Sequence, residues 1–121
     1  MAELERFNWD ALEWEDVNPH MKRKIITGDN MTVAKIFLKD GFTVPRHAHI
    51  NEQITQVISG KMQFRFGDNG EEEMILGPGD VVVIPANLPH EATMIGDVLE
   101  IDSWAPRRED WLNKTDDYLR E

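Results

Sequence analysis

Residues 47–53, HAHINEQ, place two histidines one residue apart and a glutamine four residues after the second. The segment is either a polar turn between strands or the first half of a metal site, and the choice decides the fold. In an extended chain alternate residues face the same way, so His47 and His49 point together. Val44 and Pro45 before them and the apolar run QITQVIS (53–59) after them indicate a buried segment. Two inward imidazoles without partners would cost on the order of 1–3 kcal/mol each, so they need hydrogen-bond acceptors or a shared cation. An isolated His-x-His has a plain structural explanation more often than a metal.

Working outward, short runs of β type alternate with turn residues. MTVAKIFL (31–38) ends at KDG, QITQVIS at GK, MQFRF (62–66) at GDNG and EEMIL (72–76) at GPGD. VVVIP (81–85) is almost wholly apolar, as expected of a strand buried on both faces. DVLEIDSW (97–104) alternates, with Val98, Glu100 and Asp102 on one side and Leu99, Ile101 and Ser103 on the other. This spacing predicts an all-β sandwich or barrel. After Pro106, Leu112 and Leu119 lie seven apart beside Trp111 and Tyr118, which predicts a helix over about 107–119 packed on the outside of the barrel. An N-terminal arm (1–24) carries Phe7, Trp9, Leu12 and Trp14 without a clean period. KRK (22–24) reads as a solvated charge run, and His20 as a surface residue. Gln63 and Arg65 share a strand face, either lining the lumen or on the outer surface.

The chain has 121 residues, enough for a single domain (1–121) with one core. A net charge of -10 opposes binding to nucleic acid or an anionic membrane. With no cysteine, any metal must be held by His, carboxylate or amide. The charged start MAELERFNWD is unlike a secretory signal, so a cytoplasmic protein is expected.

His90, in PANLPHEA after GPGDVVVIP, supplies a third imidazole. Gly41, His47, His49, Gln53 and Gly60, followed by Gly79, Pro85, Asn87, His90 and Met94, resemble the two motifs of the cupin family in order and spacing. The resemblance spans about residues 25–104 and implies a double-stranded β-helix (jelly-roll) barrel. It also implies one divalent transition metal (Ni, Mn, Fe, Co or Zn) on His47, His49, Gln53 and His90, and a homodimer. Gln53 stands where the family usually has Glu, Asn87 where it has Gly, and Met94 where it has Asn. Three imidazoles and an amide are all neutral, so a bound ion would keep its full double charge and act as a strong Lewis acid. Glu52 is the alternative fourth ligand, one residue short and of opposite parity.

The stretch IDSWAPRREDW (101–111) narrows the resemblance. With the Gln-bearing first motif, it is similar to the uronate-linearising (KdgF-like) cupins of pectin and alginate breakdown. That likeness implies Asp102 and Arg108 as catalytic residues, Trp104 and Arg108 as substrate contacts, and an anionic sugar as substrate. Trp104 occupies a position where Phe is expected, and Arg107 one where a second proline is common. The implied reaction hydrates the enol ether of a 4,5-unsaturated uronate and opens the ring to a keto-aldehyde. A cupin dioxygenase with a redox metal, and a non-catalytic sugar- or metal-binding cupin, stay open beside it.

Overall fold

A computed structural model describes residues 3–120. Eight strands run in the order β1 (Glu15–Asn18), β2 (Met21–Thr27), β3 (Thr32–Leu38), β4 (Thr43–His47), β5 (Glu52–Phe66), β6 (Glu72–Leu76), β7 (Val81–Ile84) and β8 (His90–Ala105). Every pairing is antiparallel. The two long strands organise the barrel. The first half of β5 and the last half of β8 lie in a sheet with β1, β2, β3 and β7, and their other halves join β4 and β6. The strands switch partners where the β5–β8 register shifts, around Ser59 and Gly60. Gly60 has φ of 79° there, and a Cβ on it would lie 2.2 Å from the Asp97 carbonyl oxygen, so only glycine allows this approach.

Period-two burial follows from the sequence. Ala34, Ile36 and Leu38 of β3, Met62, Phe64 and Phe66 of β5, and Met94 and Val98 of β8 fill the interior. Gln63 and Arg65 therefore take the outer face, and Arg65 pairs there with Glu73. Three expectations are corrected. The apolar run 81–85 is not buried on both faces: Val81 and Val83 of β7 are exposed while Ile84 is buried. The N-terminal arm does not reach residue 24, because Glu15–Asn18 and Met21–Thr27 are strands of the sheet. Within KRK, Arg23 and Lys24 are buried. Arg23 pairs with Asp116 and Glu15, while Lys24 donates to the Trp9 carbonyl and sits over Trp14.

The C-terminal segment departs most from expectation. It keeps a short helix, α1 (Glu109–Leu112), then a single 3-10 turn at Asp117–Leu119, instead of one helix over 107–119. It also does not pack outside: Trp111, Tyr118 and Leu119 line the barrel cavity. Charge pinning explains the shape. Asp116 pairs with both Arg23 and Arg120, and Asn18 Nδ2 donates to the Leu119 carbonyl, so the segment is drawn across the barrel mouth.

Candidate metal centre

The β4–β8 pairing sets His47 directly opposite His90. His49 lies beyond the end of β4, in the turn before β5, and is held there because its carbonyl accepts from Asn87 N–H. Asn87 has φ of 66°, the left-handed conformation that Asn tolerates at the position the motif gives to Gly. The ligand atoms of His47, His49 and His90 all lie within 4.8 Å of one another.

Each imidazole is fixed by its own backbone. Nδ1 of His47, His49 and His90 lies 2.8, 2.9 and 2.8 Å from the carbonyls of Pro45, Asn51 and Leu88. Nδ1 therefore carries the proton, and each Nε2 presents a lone pair. His90 Nε2 is buried without a partner. His49 Nε2 lies 3.1 Å from Gln53 Oε1, although in this tautomer both are acceptors. Acceptors converging on one point, one of them orphaned, fit a cation between them.

Gln53 enters this point from β5, where it lies between Trp104 and Ile84 across the sheet. Its amide has a single orientation: Nε2 donates to Thr55 Oγ1 at 2.9 Å, and Oε1 accepts from the Trp104 indole at 2.8 Å. Glu52 is exposed and faces away. Trp104 is buried, with Trp111 packed on it at 4.6 Å and Arg108 at 5.0 Å. The tryptophan at a phenylalanine position thus supplies a hydrogen bond to the amide. In Trp104→Phe that bond is lost, and metal affinity is expected to fall by at least about tenfold. Titration with a chromophoric chelator measures this, and unchanged affinity would show that the indole does not orient Gln53.

Burial pushes the His47 imidazole down to about 3 and His90 to about 4; it also lowers His49. Unfolded imidazoles take up protons as pH falls below about 6.5, and these do not. In that window the three groups weaken the fold with acid, against the opposite contribution of Glu100 and Asp102, whose burial raises them. For a metal the sign is simple: no imidazole proton has to leave. Calorimetry near pH 6 in buffers of different ionisation enthalpy is expected to find almost no proton release on metal uptake. Release of one proton or more would show that the imidazoles are charged.

Glu100, Asp102, Trp104, Arg108 and Tyr118 line the same cavity as His47, Gln53 and His90. Arg108 is buried, and its Nε and Nη2 grip both oxygens of Asp110, with Nη2 also on Tyr118 Oη at 3.0 Å. The two-pronged edge is thus already occupied; among the described residues no hydrogen bond engages Nη1. Tyr118 stacks on His47 at 4.4 Å and accepts from the Trp111 indole. Tyr118, Trp111 and Leu119 of the C-terminal segment form part of the cavity wall. Thr55 was missed in the sequence, although strand parity with Gln53 could have found it. Nothing local signalled Tyr118, which arrives from the far end of the chain.

The sequence matches the cupin domain family over residues 35–102. The chain belongs to the cupins. Among solved structures, the cupin is similar to KdgF from Halomonas sp., with 30% identity over 88% of this chain and 99% of that one and a TM-score of 0.80. It is also similar to an RmlC-like cupin from Shewanella frigidimarina, with 25% identity, 91% and 96% coverage and a TM-score of 0.80. An oxalate decarboxylase variant from Bacillus subtilis, at 16% identity and a TM-score of 0.72 over 88% of this chain and 31% of that one, shares the fold alone. No curated protein matched by sequence. No helix among the described residues of the cupin is long and apolar enough to cross a membrane.

Proposed function

We propose that this cupin linearises a 4,5-unsaturated uronate, converting it to the keto-aldehyde. The observation that carries the proposal is a cavity lined by His47, His90 and Gln53 beside Asp102 and Arg108, with His49 completing the group of three convergent imidazoles, in a chain similar to a KdgF. His47, His49, Gln53 and His90 would hold a divalent ion, which would supply a Lewis acid when bound. Arg108 adds positive charge through its free Nη1 edge. Asp102 moves the proton. Water adds across the enol ether, its hydrogen going to C4 and its hydroxyl to C5. The hemiketal then loses that hydroxyl proton as the bond between C5 and the ring oxygen breaks and the ring oxygen takes a proton up. This leaves C5 as the ketone and C1 as an aldehyde hydrate that loses water to give the keto-aldehyde. Each step needs one group that accepts and returns a proton. Trp104 fixes the amide ligand and forms the wall behind the sugar. The homodimer implied by the family resemblance and the cytoplasmic location expected from the charged start are part of the same proposal.

The test is to incubate Ni- or Mn-reconstituted protein with the unsaturated galacturonate monomer and follow its alkene ultraviolet absorbance against a metal-free control. Loss above the spontaneous rate only in the metal-loaded sample is expected. No loss with metal bound would move the reading to oxygen chemistry or ligand sensing.

A further inference from the structure

Glu100 is a fully buried acid without a basic partner. Its neighbours across the sheet are Ile36 on β3 and Val57 on β5, both buried and apolar. No salt bridge among the described residues reaches it. An ionised carboxylate there would pay a heavy desolvation cost, so the group keeps its proton. The O–H then needs an acceptor. Asp102 lies two residues on, on the same face of β8, and lines the same cavity. Glu100 Oε2 and Asp102 Oδ1 are both buried without a partner. The two acids differ in their surroundings. Asp102 has the Thr55 hydroxyl across the sheet, which itself receives Gln53 Nε2, and the positive charge of Arg108 at the cavity. Negative charge therefore belongs on Asp102 and the proton on Glu100.

We infer that Glu100 is a positioning residue: as a neutral acid it donates a hydrogen bond to Asp102, fixing that carboxylate with its remaining acceptor capacity toward the cavity. Burial first, then the Asp102 charge, raise Glu100 well above the ordinary glutamate range. Burial also raises Asp102, with hydrogen bonds from Glu100 and Thr55 pulling it back. The pair carries one negative charge, which offsets half of the charge of a divalent ion held by neutral ligands. The other titratable groups at this cavity are His47 from β4, His90 from the start of β8, and Arg108 and Tyr118 from the C-terminal segment. The residues of β2, β3 and β5 that line it are uncharged.

The inference rests on Asp102 as the proton-transfer group, so its test has an arm independent of turnover. The metal-free protein is expected to show the infrared carbonyl band of a protonated carboxyl group at neutral pH. That band should disappear in Glu100→Gln and persist in Asp102→Asn. Its absence from the wild type, or its loss in Asp102→Asn with survival in Glu100→Gln, overturns the assignment whether or not the enzyme turns over. The kinetic arm compares Glu100→Gln, which keeps an N–H donor, with Glu100→Leu, which removes it. Glu100→Leu should fold, since an apolar replacement removes a buried polar group. It is expected to lose about tenfold or more in kcat with KM little changed, and the acid limb of its pH profile should move up, because Asp102 has lost a donor to its charged form. Glu100→Gln should keep kcat within about threefold and leave the limb in place. An unmoved limb in Glu100→Leu would reduce Glu100 to a packing role.

Discussion

His90→Ala is expected to weaken divalent-metal binding by on the order of 100- to 1,000-fold while the barrel stays folded. Losing a residue that merely orients a ligand costs about 10- to 100-fold, and losing a ligand costs more. Here no charged donor compensates, because the remaining His47, His49 and Gln53 are all neutral. The fold should survive, because the substitution also removes Nε2, a buried nitrogen with no partner in the metal-free protein. Competition with a chromophoric chelator measures affinity, and circular dichroism checks the fold. Affinity within a few-fold of the wild type would remove His90 from the ligand set. Glu52→Gln is the matched control. Its side chain is exposed, so the variant should bind metal as the wild type does, whereas Gln53→Ala should not.

The centre was legible in the sequence because local rules build most of it. Strand parity set Glu100, Asp102 and Trp104 on one face of β8. The two motifs singled out His47 and His90 on separate strands, which the structure pairs. What stayed hidden depends on partners far along the chain. KRK looked solvated because nothing near it announces Asp116, 93 residues away, as the partner of Arg23. The 3.6-residue pattern of 107–119 was real, but it could not show that Asp116 would be pulled inward, breaking the helix and turning Tyr118 into the cavity. The run VVVIP failed for another reason. An unbroken apolar string has no period, so it says nothing about facing, and Val81 and Val83 are exposed. Arg108 was legible as a cavity residue, but its capture by Asp110 was not, since both lie in a segment whose local shape follows from the same distant pairs.

Asp102→Asn is expected to lower turnover of the unsaturated uronate by on the order of 100- to 10,000-fold, with metal content unchanged and substrate binding largely retained. The amide has nearly the shape of the carboxylate and can still accept the Thr55 and Glu100 hydrogen bonds, so the barrel interior has no reason to rearrange. What it lacks is the capacity to take a proton and give it back. Asp102 lies outside the proposed ligand set of His47, His49, Gln53 and His90. A fall in kcat with bound metal at wild-type stoichiometry therefore separates proton transfer from metal loss, which His90→Ala alone cannot do. The spontaneous reaction sets the floor. If Asp102→Asn retains kcat, another group moves the proton. Tyr118 is then the residue to replace, because its hydroxyl already accepts from Arg108 and Trp111 at the cavity and its own proton has no acceptor among the described residues. A Tyr118→Phe protein that loses turnover while Asp102→Asn does not would transfer the acid–base role to the C-terminal segment.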